Sequence, residues 1–473
     1  MPVIRSGNPR VTLAVLAMVV ASFSMLQSLV SPALPVIQHD LHTTPATVTW
    51  VFTALLLSVS VATPLLGRIG DMAGKERTLL LALIALAIGC LLAALAPNVG
   101  VLIAARVLQG VGGAVFPMSF GILRDEFPPE RVPSVVGVVS AIIAAGGGLG
   151  IVLAGPIVEW LGWRWLFWIP MAVVLLSVLL VRRYVPESPN RVPGRIDWLA
   201  ATLLSGWLIA LLLPLSTGRT WGWASARTTV LFALAAVLFA GWIAVELRSR
   251  NPLIDMRVMR LPAVWTTNFV ALLFGASMFA MYAFVPQFLQ VPRAAGFGFG
   301  ASVTQAGLLM LPMLVTMAVM GSLSGRLAAR FSAKAQVVSG SALGLAGALM
   351  FAELHDTQWQ VAVSTALFGL GLGLAYAAMT SLIVQNVPRE QTGAATGMNA
   401  NIRTIGGSIG TALASSIITG HLQPSGLPAE AGFTDAFLLM AAFGAVAVVL
   451  ALAIPRARHA AAPVPEPVEE LAA

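Results

Sequence analysis

The chain has 473 residues, of which 58% are hydrophobic and only 10% are charged. A soluble domain carries about a quarter charged residues, so this composition excludes a water-soluble globular protein. The excess apolar surface must face lipid, and repeated apolar runs of ~20 residues are long enough to cross a membrane as helices. The net charge of +8 does not indicate nucleic-acid binding, because the arginines interrupt apolar runs and form no basic face.

The N-terminus and the single cysteine set further limits. Arg5 and Arg10 precede a long apolar run without a small-residue cleavage site, so we expect a retained first span and not a signal peptide. Cys90 lies inside an apolar run and has no partner for an intrachain disulfide. The chain lacks the pattern G-x-x-x-x-G-K-[ST], so we expect no ATP hydrolysis. We also expect no enzymatic activity, no cofactor and no metal.

Fourteen apolar runs, separated by charged or Pro/Gly-rich breaks, predict an all-α integral membrane protein with fourteen spans. The runs near Ala145 and Ile409 are glycine-rich and less apolar, as expected of membrane helices that pack closely through small residues. The predicted spans are centred near Met18, Leu57, Ile84, Gly110, Ala145, Val173, Trp207, Ala236, Gly275, Thr316, Gly344, Gly371, Ile409 and Gly444.

Basic residues divide unevenly between alternate loops. One set of loops, together with both chain ends, holds 21 of the 27 Lys and Arg residues, whereas the other set holds four. The last two, Arg106 and Arg403, lie inside predicted spans. Because basic loops of membrane proteins stay in the cytoplasm, we expect a multi-pass protein of the cell membrane with both termini cytoplasmic.

Two stretches repeat each other at a constant offset of 260 residues, with seven identities between the segments that begin at Phe127 and Val387. A second pair, beginning at Gly67 and Gly325, lies at an offset of 258. This spacing predicts two parallel six-helix bundles separated by an inserted pair of helices, an architecture typical of transporters. The predicted domains are a first bundle at 1–190, inserted helices at 191–255, a second bundle at 256–458 and a disordered tail at 459–473.

Charged residues are concentrated between the second and third predicted spans. A carboxylate at a helix end can bind the positive N-terminus of a helix in the other bundle, while Lys75 and Arg77 stay near anionic headgroups. We therefore expect Asp71 to control a gate; the alternative is a solvated loop that obeys the positive-inside rule. The candidate gating residues are Gly67, Gly70, Asp71, Gly74, Lys75 and Arg77.

An arginine lies inside the fourth predicted span, in the stretch RVLQG. A charge there costs about 2.5–3.5 kcal/mol, so Arg106 should face a cavity or a partner, unless it is a structural arginine bonded to helix carbonyls. Arginine keeps its charge at working pH, so it can tune an acid or hold a substrate but cannot carry the proton. The candidate cavity and coupling residues are Arg106, Gln109, Gly110, Gln27 and Arg403.

The fifth predicted span carries glycines at fixed intervals, followed by a proline. Small residues permit close packing against the facing bundle, and Pro156 is expected to kink the helix. The alternative is general glycine packing. The candidate residues are Gly137, Gly146, Gly150, Gly155 and Pro156.

These three stretches resemble motifs A, B and C of the major facilitator superfamily, in its 14-helix drug:proton antiporter branch of the EmrB/QacA type. The resemblance covers nearly the whole chain, although Met72 replaces the usual arginine of motif A, and Ile151 and Ala154 replace a proline and a glycine of motif C. It implies the major-facilitator fold and an alternating-access exporter of small amphipathic compounds in exchange for protons. It also implies a role for Arg106 in proton transfer.

Aromatic and methionine side chains of the ninth and twelfth predicted spans are candidates for substrate contact, because the resemblance implies that both spans line the central cavity. Such surfaces adapt to varied apolar ligands, although stripes of this kind also serve ordinary packing. The candidates are Phe274, Met278, Met281, Tyr282, Tyr376 and Met379.

All nineteen acidic residues lie at span ends, in loops or in the tail, so the field inside the spans is positive. This predicts a preference for neutral, zwitterionic or anionic amphiphiles over permanent cations. An acid near a span end would then carry the proton, with Asp40, Asp125 and Glu159 as candidates. The expected partners are a small amphipathic substrate, protons and membrane lipid. A specific exporter of an endogenous metabolite and a non-transporting membrane sensor remain alternatives.

Overall fold

The structure, a computed structural model, describes residues 8–128, 131–188, 197–249, 252, 255–328, 330–387, 392–423 and 427–455. Regular structure in these ranges is helical, apart from one isolated bridge between Leu422 and Pro428. The predicted tail at 459–473 lies outside the described residues, as does most of the linker that begins at 191.

Eighteen α-helices follow one another along the described chain, with short 3-10 turns at Ser31–Ala33, Val111–Ala114 and Arg293–Ala295. The helices are α1 (Pro9–Leu29), α2 (Leu34–Asp40), α3 (Pro45–Ala73), α4 (Lys75–Ala94), α5 (Val99–Gly110), α6 (Val115–Glu126), α7 (Val132–Leu161), α8 (Trp165–Tyr184), α9 (Trp198–Trp221), α10 (Ala226–Arg248), α11 (Met256–Met259), α12 (Pro262–Gln290), α13 (Val303–Leu309), α14 (Leu311–Leu327), α15 (Ala333–Glu353), α16 (Gln358–Asn386), α17 (Thr392–Ile418) and α18 (Glu430–Ala453).

Three membrane-length units are each interrupted within the helix. Pro32 separates α1 from α2, Gly112 and Gly113 lie between α5 and α6, and Pro312 is the second residue of α14. Proline removes a backbone donor and glycine weakens a helix, which accounts for breaks at these positions. Each pair nevertheless continues as one apolar unit.

Twelve helical units of the described chain are long and apolar enough to cross a membrane. The other two long helices are α7, with 30 residues, and α17, with 27. The described side chains of α7 give an apolar segment at Gly146–Leu161, and α17 is rich in glycine and polar residues. The predicted count of fourteen spans is therefore not confirmed, although every predicted span centre lies within a helix.

The internal repeat is visible in two helix pairs that pack in the same way. A β-carbon at Gly146 of α7 would lie 3.0 Å from the carbonyl oxygen of Ala21 in α1. A β-carbon at Gly406 of α17 would lie 1.9 Å from the carbonyl oxygen of Leu272 in α12. In both places glycine lets two helix backbones touch. Four residues further on, a β-carbon at Gly150 would contact the Met25 carbonyl oxygen, and one at Gly410 would contact the Ala276 carbonyl oxygen.

Helices α9 and α10 pack on each other, and α9 also contacts α3 and α17. Trp207 and Phe239 join the pair, with ring centroids 5.0 Å apart. The same apolar cluster includes Leu57 of α3 and Ile405 of α17. The inserted pair therefore covers the seam at which α3, from the first half (α1–α8), meets α17, from the second half (α12–α18).

Candidate functional site

A cavity lies between the first and second halves. It is lined from α1, α3, α6 and α7 on one side and from α12, α14, α16 and α17 on the other. Arg403 is the only charged side chain among the lining residues that the structure describes. The apolar part of the wall is aromatic and methionine-rich, with Phe116, Phe120, Met278, Phe279 and Met317.

Three of the six side chains predicted to contact substrate line this cavity. Phe274 instead lines a smaller apolar space inside the second half. Met281 and Met379 are fully buried in the core. Sequence spacing thus identified the helices but not the rotation of each helix about its axis. The three that line the cavity are Met278, Tyr282 and Tyr376.

Two cavity residues on α6 were missed by the sequence analysis. Phe116 and Phe120 are four residues apart, so they share one face of α6 and both reach the cavity. This i, i+4 spacing of two aromatic residues is the sequence feature that could have identified them as cavity residues. The pair follows the glycine-containing 3-10 turn at Val111–Ala114.

Gln27 and Arg403, two of the predicted coupling residues, face the cavity from opposite halves. Nη1 of Arg403 donates to Oδ1 of Asn399 at 2.6 Å, and the guanidinium lies 3.8 Å from the ring centroid of Tyr376. A β-carbon at Gly275 would lie 1.9 Å from the Arg403 carbonyl oxygen, so α12 holds this part of α17 closely. A planar guanidinium suits both the amide bond and the ring contact.

Arg106 does not line the cavity, contrary to our expectation. It is completely buried in the first half, where Nε donates to the carbonyl oxygen of Val51 at 2.9 Å and Nη1 donates to Oε1 of Gln109 at 2.6 Å. Nε2 of Gln109 lies 3.7 Å from Sγ of Cys90. Gly110 lets α5 approach α3, since a β-carbon there would lie 2.3 Å from a side-chain carbon of α3. The geometry is that of a structural arginine bonded to a helix carbonyl.

Lys75 is buried in an ion pair and does not reach lipid headgroups, which corrects our expectation. Its Nζ lies 2.6 Å from Oδ2 of Asp125 at the end of α6, and both side chains are at most 5% exposed. The hydroxyl of Ser188 donates to the same carboxylate oxygen. This end of the molecule, with Lys75, Arg77 and Asp125, is called the basic end below.

The turn between α3 and α4 requires glycine and packs on the segment after α8. Gly74 has a φ of 119°, and a β-carbon there would lie 2.5 Å from the Glu187 carboxylate. Glu187 accepts a hydrogen bond from the backbone N–H of Glu76 at 3.2 Å, and its Oε2 lies 3.7 Å from Nε of Arg77. A carboxylate does bind a helix N-terminus here. It is the carboxylate of Glu187, and the helix is α4 of the same half.

Asp71 lies in the last turn of α3 and is partly buried. Its carboxylate forms neither a hydrogen bond nor a salt bridge with a described residue. The expected bond to a helix N-terminus of the second half is therefore not present in this conformation. Gly70 packs on Met118 of α6, and Gly67 faces Pro117 of the same helix.

At the end opposite the basic end, the two halves are bonded directly. Oε1 of Glu159 in α7 accepts a hydrogen bond from the backbone N–H of Thr304 in α13 at 3.1 Å. Nε2 of Gln290 in α12 donates to the Pro32 carbonyl at 2.8 Å. Together these contacts form what is called the Glu159 seal below, and they join the two halves at that end. The hydroxyl of Ser31 also donates to the carbonyl of Tyr282.

The glycine-rich face of α7 divides between two neighbours. A β-carbon at Gly155 would lie 2.2 Å from Cα of Thr304, so this glycine packs on the second half as expected. Gly146 and Gly150 instead face α1 of the same half. Pro156 lies inside α7, which continues to Leu161. The surroundings of Gly137 lie outside the described part of the chain.

The three predicted proton carriers are all bonded, and none of them lines the cavity. Asp40 accepts from Nε1 of Trp163 at 2.7 Å and from Nη1 of Arg164 at 3.1 Å, which ties α2 to the turn before α8. Asp125 pairs with Lys75 within the first half. Of the three, Glu159 alone is bonded to a described residue of the other half.

The family assignment comes from a match to the model of the Major Facilitator Superfamily, over residues 16–411 and again over 269–472. The chain belongs to the Major Facilitator Superfamily. Two solved structures show the same fold. The human organic anion transporter MFSD10 (TETRAN) superposes with a TM-score of 0.67, at 16% identity, over 94% of this chain and 99% of its own. The nucleoside transporter NupG superposes with a TM-score of 0.62, at 14% identity, over 95% and 100%.

Relatives of this superfamily member are named for drug or antibiotic export. The tetracenomycin C resistance and export protein of Streptomyces glaucescens is 30% identical over 86% of this chain and 75% of its own length. Multidrug resistance protein Stp of Mycobacterium tuberculosis is 30% identical over 84% and 73%. Multidrug transporter protein MdtP of Bacillus subtilis is 29% identical over 89% and 79%. The chain is thus a multi-pass membrane transporter, and its family consists of transporters and not of enzymes.

Proposed function

We propose that this transporter is a secondary active exporter of small amphipathic compounds, working by alternating access between its two halves and exchanging substrate for protons. The observation that carries the proposal is the cavity between the halves, which are bonded to each other at the Glu159 seal. Its aromatic, methionine and hydroxyl lining suits amphipathic molecules. The names of the relatives support the direction of transport.

We further place the chain in the 14-helix drug:proton antiporter branch, with α7 and α17 as the two spans beyond the twelve. Both are long helices that pack through glycines on a neighbouring helix, as closely packed membrane helices do. The domains proposed from the repeat are retained, at 1–190, 191–255, 256–458 and 459–473.

We propose that both termini, and therefore the basic end, face the cytoplasm. The proposal rests on the 21 basic residues in one set of loops and at the chain ends. Fluorescent protein fused to either terminus should be bright, and alkaline phosphatase fused there should be inactive. Active phosphatase at the C-terminus would contradict the fourteen-span arrangement.

We infer that, in this orientation, the Glu159 seal closes the transporter toward the outside and the cavity is loaded from the cytoplasmic side. Opening the Glu159 seal would then bring the basic ends of the two halves together. Asp71 forms no hydrogen bond with a described residue and lies near Lys75, Arg124 and Arg68 of its own half; in that other conformation it binds the second half. The gate role of Asp71 thus belongs to the outward-open state.

Among the three proposed proton carriers we favour Glu159 over Asp40 and Asp125. Its side chain is exposed at the outer face and bonds across the two halves. Protonation would remove the negative charge that the Thr304 N–H faces at the N-terminus of α13, and so would loosen the seal. An acidic exterior would therefore favour opening toward the outside.

Efflux from proteoliposomes loaded with a fluorescent amphiphile tests the function. We expect efflux to rise several-fold when the face that carries Glu159 is made acidic. Glu159→Gln, which resembles the protonated side chain, should lose this response, whereas Glu159→Asp should keep it. Equal efflux at all gradients would contradict proton antiport, and efflux no faster than from empty liposomes would contradict export.

A specific exporter of an endogenous metabolite is the second candidate. Two relatives are named for single compounds: the tetracenomycin C exporter and the probable actinorhodin transporter of Streptomyces coelicolor, which is 28% identical over 82% of this chain. Export of one compound from a varied panel would favour this candidate, and export of many would favour the first. A non-transporting sensor would export none of them.

A further inference from the structure

The two arginines embedded in the helices have no carboxylate partner among the described residues. Arg106 is bonded to a backbone carbonyl and to the amide of Gln109, and Arg403 to the amide of Asn399 and the ring of Tyr376. A charge held away from water is costly unless an opposite charge accompanies it. Both sites therefore lack the counter-charge that such a residue ordinarily has.

In both sites the guanidinium is bonded to an amide oxygen, and a chain of one or two amides leads from there to a sulfur. Nδ2 of Asn399 donates to Oδ1 of Asn268 at 2.8 Å, and Nδ2 of Asn268 lies 3.2 Å from Sδ of Met259. Nε2 of Gln109 lies 3.7 Å from Sγ of Cys90. Each amide turns its oxygen toward the guanidinium, which spreads the positive charge through dipoles. Dipoles alone leave the net charge at each site positive.

The two arginines differ in their access to a ligand. Arg106 is completely buried in the first half, whereas Arg403 lines the cavity. Gln27, only 8% exposed, lines the same cavity from the first half, and its Nε2 has no hydrogen-bond partner among the described atoms. A buried donor without an acceptor is costly unless a bound molecule supplies one. A hydrogen-bond acceptor bound in the cavity would therefore stabilise both side chains. A negatively charged acceptor would in addition neutralise Arg403.

We propose that the cavity binds amphiphiles that carry one anionic oxygen group, such as a carboxylate or a phenolate, on a flat apolar body. Arg403 supplies the counter-charge and Gln27 a second donor, while Phe120 and Met278 contact the body. Oδ1 of Asn401, a lining residue whose oxygen is buried without a partner, accepts a hydroxyl of the same molecule. As a statement about transported substrates, the proposal rests on the export function proposed above.

The test measures binding to the purified full chain in detergent, without transport. Pyrenebutyrate, pyrenebutanol and pyrenebutyl-trimethylammonium share one apolar body and differ only in the charge of the head group. Energy transfer from the tryptophans to pyrene reports their affinities. We expect pyrenebutyrate to bind about tenfold more tightly than the ammonium compound, the order expected from one charge-assisted hydrogen bond.

Arg403→Gln should remove this preference, weakening pyrenebutyrate about tenfold while changing pyrenebutanol by less than about twofold. Arg403→Lys should keep part of the preference, because it retains the charge but loses the planar contact with Tyr376. Gln27→Leu, a second variant, should weaken pyrenebutyrate about threefold and leave the ammonium compound unchanged. Arg227→Gln is the matched control, because Arg227 lies 5.8 Å from the ring centroid of Trp221 and lines no part of this cavity.

Tightest binding of the ammonium compound to the unmodified chain would overturn the proposal, as would an intact preference for the anion in Arg403→Gln. The two proposals can fail separately. A clear preference for the anion without any efflux would contradict export and leave the binding site standing. Efflux without any head-group preference would contradict only the site.

Discussion

Gly155→Leu is expected to lower transport at least about tenfold while the protein remains inserted. A β-carbon at this position would lie 2.2 Å from Cα of Thr304, and backbone atoms cannot move aside as a flexible side chain can. The added side chain must therefore push α7 away from α13 and hold the Glu159 seal open. Transport in proteoliposomes measures the loss.

The same variant should make the cavity reachable from the Glu159 side. A cysteine introduced at Gln27, a lining residue, would then react faster with a water-soluble thiol reagent added on that side. Gly325→Leu is the control, because no atom lies within 4 Å of a β-carbon at Gly325. It should leave transport within about twofold. Normal transport by Gly155→Leu would show that the seal is not built on this contact.

Asp125→Asn is expected to destabilise the protein by about 3–5 kcal/mol, because it leaves Lys75 as an unpaired buried charge. The double variant Lys75→Met/Asp125→Leu should recover at least about half of that loss, since it removes both charges and fills the space with apolar atoms. Thermal or denaturant unfolding of the purified protein measures both values. No recovery in the double variant would show that the pair is not the source of the loss.

Asp71→Asn is the matched comparison, because it changes an acid of the same region that has no bonded partner. Its unfolding free energy should change by less than about 0.5 kcal/mol, while transport falls at least about fivefold if Asp71 binds the second half in the outward-open state. Stability and transport would thus be affected separately by two neighbouring carboxylates. Unchanged transport in Asp71→Asn would leave its charge with a role in topology alone.

The helices could be predicted from the sequence because apolar runs and their breaks are local features. Every predicted span centre lies in a helix, and the repeat led to the glycine contacts of α7 and α17. The glycine-rich and polar sequence of α17 lowers its hydropathy, since hydropathy cannot distinguish a small residue against protein from one against water.

The site could be predicted only in part, because pairing depends on contacts between distant residues. The partner of Lys75 lies 50 residues away, and no local pattern links the two. The rotation of a helix is also invisible when apolar residues surround it, which is why Arg106 and Met281 were expected in the cavity. Gln27 and Arg403 line the cavity, and polar residues inside a span have few positions other than a cavity or a bonded partner.

The burial of Cys90 is expected to make the natural chain unreactive toward thiol reagents. This single cysteine is completely buried on α4, where its sulfur lies against the amide of Gln109. A thiol shut off from water in apolar surroundings reacts slowly, so we expect Cys90 to resist oxidation. It also means that one or two cysteines placed on α7 and α13 can carry spectroscopic labels without first removing the native residue.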